Sequence, residues 1–276
     1  MHPDLFKLPF LGGRVVHTYG VLLLIGFLLS LWRAVTVARR NGEKPITTQD
    51  VLDVSVCLLL AGIVGARLAF VLLDPHLRLY TIAEAVAIWN GGITFDGALI
   101  GGLLAIVAFC KLRRLPILPM LDLLGPASVI GYAVGRIGCF FNGCCYGGPT
   151  NLPWGVKFPE GIVDGLQVYS VPCHPAQLYS TVMSLLLFGL LALRQKKKGL
   201  PSGDLFCWYL IGTSVERFIM ELFRRGVTSD MVRGTPLTTA QWFCVALGLA
   251  GAAWLVAIHR HARASKPDAT PAGDAI

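Results

Sequence analysis

Apolar residues run along this chain in blocks too long for the face of a soluble helix. Stretches of about 20 residues, the length a helix needs to cross a hydrocarbon core of ~30 Å, fall at roughly 15–38, 51–73, 91–110, 117–137, 174–193, 203–222 and 237–258. The pattern predicts an all-α, polytopic membrane protein with seven transmembrane helices. Short basic connectors (39–50, 111–116, 194–202) alternate with longer ones rich in Gly and Pro (74–90, 138–173, 223–236). Residues 1–258 read as one seven-span domain with an outward-facing segment at 138–173. Residues 259–276, rich in Ala, Pro and charge, read as a disordered cytoplasmic tail. The first fourteen residues lack the charged start, short apolar core and cleavage site of a signal peptide.

Composition supports the bilayer as solvent. The chain is 54% hydrophobic and 14% charged, with a mean hydropathy of +0.64, against roughly 25% charge in a soluble domain. Soluble enzymes, coiled coils, disordered proteins and nucleic-acid binders are excluded, because each needs a polar face that this chain does not supply. The net charge of +8 therefore reports orientation. The three short connectors and the tail hold 13 Lys and Arg, and the N-terminus and longer connectors hold 7. The richer side is expected to be cytoplasmic, with the N-terminus out and the C-terminus in.

Four arginines remain inside the predicted spans: Arg33, Arg67, Arg136 and Arg217. A charge at that depth costs about 2.5–3.5 kcal/mol on insertion scales and marks a protein interior or a watery cavity. Arg33 is near an inner end and can snorkel to the headgroups. The other three, with Asp96, fall toward the outer leaflet. Arg217 and Glu221, four residues apart, stack on one helical face as a candidate ion pair. His174 stands at the cap of span 5, with Pro175 at its first position and Gln177 on the same face. Thr238 and Gln241 have capping-box spacing at span 7, and Tyr19 is near the outer end of span 1. The glycine-dense run 135–148 reads as a turn whose N–H groups can nest an anion. Gly97 and Gly101 have the spacing of a close helix contact. Three arginines beside such a turn suit the phosphate of an anionic phospholipid.

The motifs His17-Thr18-Tyr19-Gly20, Gly65-Ala66-Arg67, 91–97 (GGITFDG), 135–148 (GRIGCFFNGCCYGG), 174–179 (HPAQLY), 217–221 (RFIME) and 237–241 (LTTAQ) follow one another across the chain. In that order they resemble the bacterial prolipoprotein diacylglyceryl transferases. The resemblance implies transfer of the diacylglyceryl group from phosphatidylglycerol to the lipobox cysteine of secreted prolipoproteins, in the bacterial inner membrane and without metal or cofactor. It carries functional roles onto Tyr19, Arg136, Asn142, Gly147, Arg217 and Glu221. Arg67, His174 and Gln177 join Arg136, Arg217, Asn142 and Gly147 as expected lipid-binding positions. Four positions depart from the family's pattern: Asp96 stands where histidine is usual, Cys139 for asparagine, Cys144 for an acid and Thr213 for a frequent tyrosine. Asp96 is the candidate general base for the thiol, with His174 as its understudy.

Two other classes compete. One is a phospholipid-binding or scaffold relative that kept the pocket and lost the chemistry. The other is a thiol-redox or metal protein built on Cys139, Cys144, Cys145 and Cys173 with His174. These show no C-x2-C pair, and adjacent Cys144 and Cys145 bridge each other only with strain. A structural disulfide from Cys139 or Cys144 to Cys173 is the milder expectation. Cys57, Cys110, Cys207 and Cys244 are expected to pack as small hydrophobes.

Overall fold

The computed structural model describes residues 4–8, 14–43, 45–73, 94–158, 161–163, 166–168, 171–224 and 235–264. Among them are seven long helices: α1 (Thr18–Arg40), α2 (Thr48–Leu73), α3 (Phe95–Arg113), α4 (Ile117–Asn142), α5 (Ala176–Gln195), α6 (Asp204–Arg224) and α7 (Thr239–Ala264). Five of them, α1, α2, α4, α5 and α7, are long and apolar enough to cross a membrane. The α6 helix is the most charged, with Asp204, Glu216, Arg217, Glu221 and Arg224.

The polarity of these helices is inverted relative to a soluble protein. On α5, Gln177, Ser180, Thr181 and Ser184 recur at spacings of three and four and are buried, with both serines 1% exposed. Leu185, Leu186, Leu190 and Leu193 point the other way, and Leu186 is 64% exposed. A small polar face turned inward and an apolar face turned outward is what lipid selects, because hydrocarbon tolerates leucine and helices meet through small residues.

Chain contacts divide the protein into two compact units, 31–123 and 1–30 with 124–276. In the first unit α2 and α3 meet backbone to backbone. A Cβ on Gly97 would stand 2.3 Å from the Gly65 carbonyl oxygen, and one on Gly101 2.4 Å from that of Ala61. Only glycine permits this approach, as the spacing of Gly97 and Gly101 predicts. Thr94 closes the pair, its N–H and its hydroxyl both donating to the Ala66 carbonyl at 3.1 and 3.2 Å. At the start of α2, Thr47 and Asp50 form a reciprocal cap: the Asp50 N–H donates to Thr47 Oγ1 and the Thr47 N–H to Asp50 Oδ2.

The second unit holds the rest. A hairpin of β1 (Asp4–Leu8) and β2 (Arg14–His17) precedes α1, so His17 lies in a strand and the helix begins one residue later. In the 143–175 connector, β3 (Val156–Lys157) pairs with β6 (Pro172–Cys173), and β4 (Gly161–Val163) with β5 (Leu166–Val168). The connector has its own small core of Tyr146, Phe158 and Cys173, with Tyr146 and Phe158 stacked at 4.4 Å. The helix α7 begins with the capping box the spacing predicts. The Thr238 N–H donates to Gln241 Oε1 at 3.1 Å and the Gln241 N–H to Thr238 Oγ1 at 3.2 Å.

Three expectations change. The glycine-dense run is helical as far as Asn142, so Gly135 and Gly138 are packing residues within α4 and the turn begins at Gly143. At α5 the cap is Pro175 instead of His174. The α7 helix runs on to Ala264, six residues into the expected tail, because nothing before Pro267 interrupts it. Residues 265–276 lie outside the described residues.

Candidate active site

Eight of the predicted site residues, Tyr19, Arg136, Asn142, Gly147, His174, Gln177, Arg217 and Glu221, belong to the second unit. Arg67 and Asp96 belong to the first. Arg67 is buried, with its guanidinium 5.4 Å from the centre of the Phe70 ring. The Thr94 bonds to Ala66 set the backbone of α3 beside residues 65–67, so Asp96 and Arg67 share one end of the α2–α3 pair; the Asp96 side chain lies outside the described residues.

Arg136, near the end of α4, is fixed by a residue one turn earlier. Its Nη2 donates to Tyr132 Oη, and the guanidinium stands 4.8 Å from the centre of that ring. Its Nε is buried and has no acceptor among the described residues. Glu216 on α6 is buried within electrostatic range of both Arg136 and Arg217 and accepts a hydrogen bond from Ser180 Oγ. Arg217 is half-exposed, and its Nη2 is 3.4 Å from Glu221 Oε2, the ion pair that their spacing predicts. That pair lacks hydrogen-bond geometry: Glu221 is 2% exposed, and Oε2 accepts no hydrogen bond among the described residues. Both arginines therefore keep donors to spend on a ligand.

Tyr19 is reached through Gly138, where a Cβ would stand 3.1 Å from its ring. It lies in electrostatic contact with Arg136 and with Cys139, Cys144 and Cys145. The Asn142 side chain bonds to the Cys144 sulfur. Gln177 is fully buried, its Nε2 donating to the Cys144 carbonyl at 2.7 Å, while its Oε1 has no partner.

Gly147 does not supply an anion cradle. Its N–H donates to the His174 carbonyl at 2.9 Å, and a Cβ there would stand 2.7 Å from the Phe223 carbonyl oxygen and 2.9 Å from His174 Cβ. With the Gly148 N–H donating to the Phe223 carbonyl at 2.8 Å, Gly147 clamps the connector between the end of α6 and the start of α5. His174 belongs to an aromatic group with Tyr179 and Phe223, at centroid distances of 6.1 and 5.3 Å. Trp154 Nε1 donates to the Tyr179 hydroxyl at 2.7 Å.

The eight cysteines are all reduced. The expected disulfide to Cys173 does not form, because that sulfur turns into the connector's own core and bonds to the Val171 carbonyl. Burial pushes the Cys173 thiol up from its ordinary range. Cys139, Cys144 and Cys145 instead gather around the end of α4. Hydrogen bonds from the Cys139 and Cys144 thiols hold Cys145 below the ordinary thiol range, and Arg224 and Arg136 reinforce this. Cys110, Cys207 and Cys244 are buried as expected.

Spacing alone points to Tyr132, four residues before Arg136 on the same helical face, and to Ser180, three after Gln177. Neither was singled out above. Glu216 adjoins Arg217 in sequence, and only the fold shows that it also faces Arg136 and Ser180.

Residues 4–257 match the model of the prolipoprotein diacylglyceryl transferase family. The chain belongs to that family. Among its relatives, a phosphatidylglycerol–prolipoprotein diacylglyceryl transferase of Nostoc sp. is 34% identical over 274 residues, covering 96% of this chain and 94% of the relative. Proteins of the same name from Trichormus variabilis and Gloeobacter violaceus are each 35% identical, covering 89% of this chain and 87% and 90% of their own lengths.

Proposed function

We propose that this chain transfers the diacylglyceryl group of phosphatidylglycerol to the thiol of a lipobox cysteine in a secreted prolipoprotein, the first step of bacterial lipoprotein maturation. One observation carries the reading beyond the family match: Arg136 and Arg217 lie within electrostatic range of one buried carboxylate, Glu216, and keep donors available. A guanidinium meets a phosphate through a planar fork, and a low-dielectric site strengthens that contact.

The chemistry is a displacement at the glycerol carbon that carries the phosphate. The substrate thiolate forms the C–S bond while the C–O bond to phosphate breaks, and the electron pair leaves on glycerol phosphate. Arg136 and Arg217 hold the phosphate and stabilise the charge that develops on it. Glu221 orients Arg217. Tyr19 and Asn142 line the Arg136 side, Gln177 and His174 contribute to the lipid headgroup site, and Arg67 is a lipid-binding residue of its own unit. A thiol of pKa about 8.5 must lose its proton to attack, and Asp96 takes it, with His174 as the alternative.

All seven helices span the bacterial inner membrane, with the N-terminus out and the C-terminus in. The excess of basic residues in the short connectors and the tail supports this orientation. The site then opens toward the outer leaflet, where phosphatidylglycerol enters sideways and the precursor peptide arrives from outside. Incubation of the purified protein with phosphatidylglycerol and a lipobox peptide should add one diacylglyceryl mass to the peptide, and none when its cysteine is replaced by serine. An intact preparation that binds the lipid and leaves the peptide unchanged overturns the catalytic reading.

A further inference from the structure

The end of α4 gathers three sulfurs. Gly143, at φ +72°, terminates the helix in the left-handed conformation. Its N–H donates to the Phe140 carbonyl at 3.2 Å, and the Cys144 N–H to the Cys139 carbonyl at 3.1 Å. These two bonds define a Schellman cap, which sets the residue after the glycine over the last helical turn, normally as an apolar contact. Here thiols occupy both places. Cys145 follows at φ +64°, a second reversal that turns its side chain back to the same spot. The Sγ atoms of Cys139, Cys144 and Cys145 all lie within 4.8 Å of one another.

We propose that Cys139, Cys144 and Cys145 form a binding site for a single thiolate-seeking metal ion of the zinc type. A Zn–S bond of about 2.3 Å in a tetrahedral site places sulfurs roughly 3.8 Å apart, so closure on the ion needs each sulfur to move by less than about an ångström. Three protein ligands leave the fourth position for water or another donor.

The charge of the surroundings fits the occupant. Three thiolates around a divalent ion carry one net negative charge, and Arg224 and Arg136 lie in electrostatic contact with Cys145. The Nε of each arginine is buried without an acceptor among the described residues, and a metal-bound sulfur can accept such a donor. Binding replaces the protons that the cluster's thiols carry, which pass to solvent, and needs no oxidant. The fourth outer cysteine, Cys173, is excluded by its place in the connector's core.

The test uses the full-length protein in detergent, reduced and freed of metal, with no lipid or peptide, so that it is read independently of transfer activity. Zinc titration should saturate at one ion per chain, and cobalt(II) in its place should give sulfur-to-metal charge-transfer absorption. Cys139→Ser or Cys145→Ser should weaken zinc binding by more than ~100-fold, while Cys173→Ser binds as the parent does. In the unaltered protein, zinc should protect Cys139, Cys144 and Cys145 from alkylation, mapped by mass spectrometry, which needs no variant to fold. Failure of the reduced protein to bind zinc overturns the site. So does binding that survives Cys139→Ser unchanged, or an absence of protection at the three cysteines.

Discussion

The Glu221 carboxylate lies 3.4 Å from the Arg217 guanidinium and yet takes no hydrogen bond from it. Glu221 is buried and Arg217 is half-exposed, so the acid acts as a fixed post against which the arginine swings. Glu221→Gln keeps the shape and removes the charge. Misplacing a group that positions substrate by about 1 Å can cost ~10²-fold, so with Arg217 no longer held by a charge, transfer should fall roughly 10- to 100-fold with the protein still folded. Steady-state transfer to a lipobox peptide, beside a thermal unfolding curve, checks this; unchanged transfer would remove Glu221 from the site.

Arg136→Lys and Arg217→Lys test the phosphate assignment. Lysine keeps the positive charge and loses the planar fork, so phosphatidylglycerol affinity or transfer should drop at least tenfold in each. At Arg136 the substitution also gives up stacking on Tyr132, whose ring centre is 4.8 Å away. Lysine variants that bind and transfer normally would refute the clamp.

Asp96→Asn separates binding from chemistry. If Asp96 takes the thiol proton, the lipid still binds while single-turnover transfer falls by the ~10²–10⁴-fold of a lost general base. Normal transfer would make it a counter-ion and return the search to His174.

Gly147→Ala probes the connector clamp. The new Cβ meets two backbone oxygens and the His174 side chain, and overpacking of this kind costs about 1–3 kcal/mol. The unfolding midpoint should fall. Gly189→Ala on α5, where a Cβ meets nothing within 4 Å, should leave it unchanged or raise it, since glycine inside a helix costs roughly 0.5–1 kcal/mol relative to alanine.

Helix positions were legible because apolar blocks and charged connectors alternate plainly along the chain, and each predicted stretch coincides with a helix to within a few residues. The ends were harder to place. Gly135 and Gly138 look like a turn in sequence, yet both are helical, and at Gly138 a side chain would crowd the Tyr19 ring on α1. The Arg217–Glu221 and Thr238–Gln241 pairs were readable because both partners sit on one helix at fixed spacing. Contacts made across elements, such as Ser180 with Glu216 and Gln177 with the Cys144 carbonyl, leave no trace in local spacing. The meeting of Cys139 with Cys144 was hidden for another reason: it depends on the left-handed residue between them, which breaks the helical period.

The glycine seam between α2 and α3 limits where a substrate with two acyl chains can pass. Helices joined through long side chains can part slightly as those chains change rotamer. Gly65, Gly97 and Gly101 have no side chain to swing aside, and Thr94 pins the same pair at its end. Opening that seam would surrender the contacts of all three glycines at once, so under the proposed function a lipid is expected to enter elsewhere than between these two helices.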